Sequence, residues 1–95
     1  MLIFTWDEHK ANLNNIKHGI TFEEAKSVFY DDFARLLDDP DHSDTEERFL
    51  MLGLSFKTRL LIVCHCYRQN DTNIRIISAR KATLKETDMY RRFRL

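Results

Sequence analysis

Arg80 and Lys81 follow the run Ile74-Arg75-Ile76-Ile77-Ser78-Ala79, and Arg59 opens the run Leu60-Leu61-Ile62-Val63, so three cations stand at strand ends where a phosphate can be held. Alternation along an extended chain puts Ile74 and Ile76 on one side and Arg75 and Ile77 on the other. The apolar stretch stops at Ser78 and helix formers follow, which predicts that Arg80 and Lys81 sit in a turn between a buried strand and a helix start, where backbone N–H groups add positive potential. Guanidinium groups stay charged and match phosphate oxygens with a two-pronged set of donors. Cutting RNA without a metal needs such fixed cations, a base for the 2′-hydroxyl and an acid for the leaving 5′-oxygen. A solitary strand-end arginine is by default a solvated or salt-bridged flank, and the clustering is what favours a site.

Histidine is the side chain best suited to trading a proton at neutral pH, and the chain has His9, His18, His42 and His65. His65 lies between Cys64 and Cys66 with its side chain on the face opposite theirs, as a substrate contact or as a hydrogen-bonded sheet histidine. His18, just before Gly19, is a proton-transfer candidate or a helix-terminal residue facing the last carbonyls. His42 sits in the acidic stretch Asp38-Asp39-Pro40-Asp41-His42-Ser43-Asp44 and is a candidate contact. Trp6 can stack a base or anchor a core. Alternation splits Cys64, His65 and Cys66 across both faces, and no second ligand pair completes a zinc site. The acidic stretch lacks the spacing of a calcium loop, and there is no glycine-rich phosphate loop, so neither metal nor cofactor is expected.

The formal charge of zero is a cancellation. Residues 1–47 hold four Lys/Arg against twelve Asp/Glu, a balance of −8, and residues 48–95 hold eleven against three, a balance of +8. A basic half of this strength suits a polyanion, although the halves can also pair with each other across the fold. With 95 residues and 43% hydrophobic content, one modest core and a single domain over 1–95 are expected. Nothing resembles a bilayer span, a signal peptide or a transit peptide, and both cysteines read as buried thiols, so a cytoplasmic protein with no membrane contact is expected.

Holding these side chains in place requires a compact set of elements. Leu2 to Thr5 reads as a short strand, and Asp7 caps a helix over Glu8 to Lys17 with Ala11 to Leu13 and Ile16 toward the core and Gly19 as its stop. Thr21 and Glu24 form a capping box ahead of Phe22, Ala25, Val28 and Phe29 at helical spacing. Phe33 to Leu37 reads as a short strand. Phe49 to Leu54, Leu60 to Tyr67 and Ile74 to Ser78 predict an antiparallel meander, apolar at consecutive positions and therefore covered on both faces. Thr83 and Glu86 make a second capping box for a helix to about Arg92, anchored by Met89 and Phe93. The fold class is α+β, an antiparallel sheet with two N-terminal helices and one C-terminal helix.

A series of blocks then resembles a family. Phe4-x-Trp6-Asp7-x-x-Lys10, Asn14-x-x-Lys17-His18-Gly19-Ile20-x-Phe22-Glu23-Glu24-Ala25, His42-Ser43-x-x-Glu46-Glu47-Arg48, Gly53, Arg59-Leu60-Leu61 and the run from Ile74 to Thr83 together resemble the BrnT toxins of bacterial type II toxin-antitoxin systems. The resemblance implies a RelE-like fold, metal-independent endoribonuclease activity that inhibits translation, and neutralisation by a cognate BrnA-like antitoxin. It further implies that operator DNA is reached only through the antitoxin complex, with a homodimer inside that complex. Carried over by position, it gives Arg59, Arg80, Lys81, Asp7 and Lys10 as catalytic groups and Trp6, His18 and His42 as contacts. A second reading keeps the basic half as a non-catalytic module that receives an acidic partner segment in a transcriptional autoregulation complex.

Overall fold

The computed structural model describes residues 1–40 and 47–94. In chain order they form β1 (Ile3–Thr5), α1 (Glu8–His18), α2 (Phe22–Ser27) with a 3-10 turn at Val28–Tyr30, β2 (Arg35–Asp38), β3 (Phe49–Leu54), β4 (Leu60–Tyr67), β5 (Asn73–Lys81) and α3 (Leu84–Arg94). The α+β architecture is the expected one, with the strands in one sheet of order β1-β5-β4-β3-β2. From β2 to β5 neighbours pair antiparallel. β1, which lies outside the expected antiparallel meander, runs parallel to β5 with Ile3 beside Asn73 and Thr5 beside Arg75. No helix among the described residues is long and apolar enough to cross a membrane.

The helix ends follow local chemistry. Asp7 Oδ1 accepts from the Lys10 N–H at 3.0 Å, and Gly19 stops α1 in the left-handed region at φ 68°. Thr21 and Thr83 each accept at 3.1 Å from the backbone N–H three residues on, the N-cap half of a capping box. On one face of the sheet, Ile20, Phe22, Ala25 and Val28 pack on Leu61, Val63, Ile76 and Ala79. On the other, Tyr90 of α3 packs on Leu52 and Ile62. Burial of each large apolar side chain contributes roughly 1.5–3 kcal/mol, which is why strands with apolar residues on both faces require both helical layers.

Asp31 joins those layers. Its Oδ2 accepts from the Leu54 N–H at 2.8 Å and from the Tyr90 hydroxyl at 2.6 Å, and its Oδ1 accepts from the Phe33 N–H at 3.0 Å. Gly53 makes the approach possible, since a Cβ there would meet Val28 Cγ1 at 2.8 Å.

The apolar stripe expected on α1 is rearranged. Leu13 and Ile16 are exposed, and Asn14 is buried in their place. The reason lies in β1, which stops at Thr5 and leaves the later part of β5 with an open edge. Asn14 closes it: the Ala79 N–H donates to Oδ1, and Nδ2 donates to the Ala79 and Ile20 carbonyls, all at 3.0 Å. With that edge satisfied, β5 continues past Ser78 to Lys81. Arg80 and Lys81 therefore belong to a strand, not to the expected turn. In α3, Met89 packs as expected, while Tyr90 replaces Phe93 as the buried anchor and Phe93 lies half-exposed under the Arg35 guanidinium at 3.5 Å.

Candidate active site

Strand alternation sends adjacent cations to opposite faces. Arg80 stands beside Ile62 and faces the α3 side, whereas Lys81 stands beside Leu61 and faces the α1 and α2 side. On the α3 side, Arg80, Glu86, His18 and Arg48 rim a cleft of about 380 Å³ floored by Ile62 and Cys64. Arg80 meets Glu86 fork to fork, Nη1 to Oε1 at 2.9 Å and Nη2 to Oε2 at 3.1 Å, with Nη1 also donating to the Lys81 carbonyl at 3.2 Å. Glu86 Oε1 additionally accepts from the Thr83 N–H at 2.8 Å. The Arg80 bonds, working against burial, hold the Glu86 carboxyl below its usual range, and Glu86 raises Arg80 in return.

Cys64 offers no nucleophile. Burial, then the neighbouring Asp39 carboxylate, pushes its thiol up to about 11, and Sγ donates to Asp39 Oδ2 at 3.6 Å. Arg48 was not singled out as a candidate by its sequence context. The available signal is alternation: it precedes β3 in step with Leu50, which lines the same cleft. Glu86 was visible only as a capping residue, and its second partner, Arg80, lies across the strand-to-helix turn.

His18 and Ser78 border both this cleft and a neighbouring groove of about 210 Å³ that Lys10, Leu13 and Lys17 line. Lys10, Leu13, Asn14 and Lys17 share one flank of α1, as their three- and four-residue spacing dictates. Cleft and groove therefore meet over the part of β5 that β1 leaves uncovered. A hollow of about 660 Å³ between Phe49, Cys66 and Tyr67 is larger, but Glu47 and Asp71 border it with Arg68, a poorer setting for a polyanion.

The other expected site residues lie elsewhere. Arg59 shares the α1 and α2 face, where Nε and Nη2 both bind the carboxylate of Glu24, Nε at 2.9 Å, and Nη2 also donates to the Gly19 carbonyl at 3.1 Å. Glu24 is fully buried and accepts from the Ser55 hydroxyl at 2.7 Å. Its carboxyl lies below its usual range, chiefly through the Arg59 bonds, with burial opposing them. Part of the charge asymmetry is thus internal pairing between the acidic and basic halves. Trp6 lies on the opposite flank of α1, its Nε1 donating to Glu8 Oε1 at 2.8 Å and its ring edge-on to Phe22 at 5.9 Å. Asp7 is the α1 cap.

His65 corrects its expectation as a substrate contact, because it is 0% exposed. Its Nδ1 lies 3.0 Å from the Val63 carbonyl and its ring packs edge-on to Phe29 at 4.8 Å. Burial lowers its pKa, so the imidazole stays neutral among aromatic neighbours. His42 lies outside the described residues. Among those residues, no three His, Cys, Asp or Glu side chains gather as a metal-ligand group.

Residues 6–86 match the family model described as the ribonuclease toxin, BrnT, of type II toxin-antitoxin systems. A search of curated proteins by sequence gave no match. Among solved structures, the crystal structure of the Brucella abortus ribonuclease toxin BrnT superposes with a TM-score of 0.63 at 22% identity, covering 87% of this chain and 99% of that one. At that identity the likeness is one of fold.

Proposed function

The chain belongs to the BrnT ribonuclease toxins of type II toxin-antitoxin systems, and from that premise we propose that it cleaves RNA in the Arg80 cleft without a metal ion. The observation that carries this reading is the meeting of Arg80, with its two-pronged donors, and His18 in one cleft that opens onto Lys10 and Lys17. RNA lies along the cleft and groove that meet beside β5 at His18 and Ser78. The 2′-hydroxyl loses its proton to a base and attacks the adjoining phosphorus, the bond to the 5′-oxygen breaks, and that oxygen takes up a proton. Arg80 turns from Glu86 to the phosphate and stabilises the charge gathering on its oxygens. His18 serves the proton transfers, and Lys10 with Lys17 holds the flanking backbone.

Arg59 acts differently: it fixes α2 and the β3–β4 turn through Glu24 and Ser55. Lys81 adds to the field from the other face, Trp6 offers a ring at the outer flank of α1, and Asp7 sets the α1 start that places Lys10 and His18. In the cell the cytoplasmic consequence is arrested translation. A BrnA-like antitoxin neutralises the toxin by covering the cleft, joins two toxin copies in one complex, and carries the complex to operator DNA.

The test is cleavage of a defined RNA by the purified protein with a chelator present, alongside expression with and without the adjacent antitoxin gene. Chelator-resistant cleavage, and growth arrest relieved by the antitoxin, are expected. Cleavage restored only by added metal would overturn metal independence, and arrest unchanged by the antitoxin would overturn the pairing.

A further inference from the structure

Arg48 is half-buried on the cleft rim, and its Nε is buried with no hydrogen-bond partner among the described residues. That sets it apart from Arg59, held by Glu24, and from Arg80, held by Glu86. An arginine offers five N–H donors and no acceptor, so a guanidinium with an unsatisfied donor at the rim of a cleft has capacity for an acceptor from outside. Arg48 lines the same cleft as Cys64 and Arg80. The cleft also holds the carboxylates of Asp39 and Glu86. Asp39 accepts from Cys64, and Glu86 grips Arg80.

Sheet register gives the spacing. Leu52 pairs with Ile62 and Ile62 with Arg80, so Arg80 stands in the row of Leu52. Arg48 precedes Leu52 by four residues, roughly 13 Å along the strand and about 10 Å across two strand spacings from Arg80. That diagonal sets the two guanidinium groups at different points along a bound strand. It suits two phosphates of one strand.

We propose that Arg48 is a phosphate-binding residue of this cleft, taking the RNA phosphodiester next to the one held at Arg80. The inference rests on the ribonuclease reading for its ligand, and on the open Nε for its residue. It gives the cleft a footprint of at least two adjacent phosphates and sets the path of the strand from β5 toward β3.

The probe is a labelled 2′-O-methyl oligoribonucleotide, which cannot be cut because its 2′-oxygen is blocked. Its affinity is measured against salt for the wild-type protein, Arg48→Gln and Arg48→Lys. Arg48→Gln is expected to bind roughly tenfold more weakly, the worth of one charge-assisted contact, with the salt slope reduced by about 0.7 for the lost single-strand phosphate contact. Arg48→Lys should recover the slope and only part of the affinity. Unchanged affinity and slope in Arg48→Gln would overturn the proposal. A second measurement does not depend on that variant folding: in the wild type, the Arg48 Nε–H resonance should shift on titration with the same oligonucleotide, and a resonance that stays put also overturns it. Cleavage of the unmodified RNA is followed in parallel. Normal wild-type cleavage with binding indifferent to Arg48 defeats this proposal alone, and Arg48-dependent binding by a protein that cuts nothing defeats the ribonuclease reading alone.

Discussion

Glu86 grips Arg80 with both carboxylate oxygens, at 2.9 and 3.1 Å, in the geometry a phosphate would use. An incoming phosphodiester must displace that carboxylate or share the guanidinium with it. Glu86→Gln removes the competing charge, so affinity for a 2′-O-methyl oligonucleotide is expected to rise. Stability should move the other way. The folded-state carboxyl of Glu86 lies below its ordinary 4.5, so its contribution is present above the unfolded value and is lost as pH falls through the folded one. The stability gap between wild type and Glu86→Gln should therefore be widest near neutral pH and close in acid, as read by denaturant unfolding across pH. A gap that persists at low pH would show that the charge of Glu86 is not what stabilises the pair.

Arg80→Ala is expected to lower RNA cleavage by roughly two orders of magnitude or more, the usual scale for removing one donor to a developing oxyanion. Arg80→Lys should restore a part only, because a point charge lacks the two-pronged geometry. Folding should survive in both, since Ile62 and Ala79 hold the strand without the guanidinium. Cleavage rates and thermal unfolding measured side by side check this; a folded Arg80→Ala protein that cuts at the normal rate removes Arg80 from the chemistry.

What the sequence showed of the fold was what short-range rules encode. β3 and β4 fall where alternation and apolar runs put them, and both N-cap threonines accept from the N–H three residues on. In the Thr83 box, Glu86 reaches back to the Thr83 N–H as the motif implies, whereas Glu24 of the Thr21 box turns its carboxylate to Arg59 instead. That choice depends on a residue 35 positions away, beyond the reach of helix rules. The parallel pairing of β1 is equally non-local. Because β1 is short, β5 needs a substitute partner, and a buried Asn14 on what reads as a polar stretch of α1 supplies it. Arg80 and His18, both candidates in the sequence, line one cleft. Arg59, a candidate on the same grounds, lies on the other face, because strand alternation decides its face and the packing of α2 decides its partner.

Arg59→Ala leaves the Glu24 carboxylate buried with only Ser55 donating to it through a side chain. Breaking one side of a buried pair costs typically about 3–5 kcal/mol, and the partial exposure of Arg59, 30% of its side chain, argues for the low end. The folded carboxyl of Glu24 is lowered, so the pair's contribution is complete above the unfolded value near 4.5 and is lost as pH falls from there through the folded one. Double substitution Glu24→Gln with Arg59→Ala should recover part of the loss. Equal stability of wild type and Arg59→Ala at pH 7 in denaturant unfolding would contradict a structural role.

Tyr90 should titrate late. Burial and the bond to Asp31 push its hydroxyl up to about 12, above the ordinary 10, so its stabilising contribution is complete below pH 10 and is lost as pH rises toward the folded value. Tyr90→Phe removes a hydrogen bond to a carboxylate, worth about 1.5–3 kcal/mol. Ultraviolet titration of the phenolic groups should lose its latest component in the variant, and chemical denaturation at pH 7 should register the loss of stability.

Asn14 joins fold to site, and its substitution should separate the two. Asn14→Ala leaves the Ala79 N–H and carbonyl without their side-chain partner in a buried setting, a penalty of about 1–3 kcal/mol. The damage should be local, because the rest of β5 keeps its pairing with β4. Ala79 lies next to Arg80 in the chain, so fraying of that edge shifts the guanidinium relative to His18 at the end of α1. Amide exchange at Ala79 is therefore expected to accelerate well beyond that at Ile76, and cleavage is expected to fall by more than the fraction unfolded explains. Asn14→Asp should be worse, since it removes the donor to both carbonyls and buries a charge. If Asn14→Ala exchanges uniformly along β5 and cleaves in proportion to its folded fraction, Asn14 supports the fold and has no separate hold on Arg80.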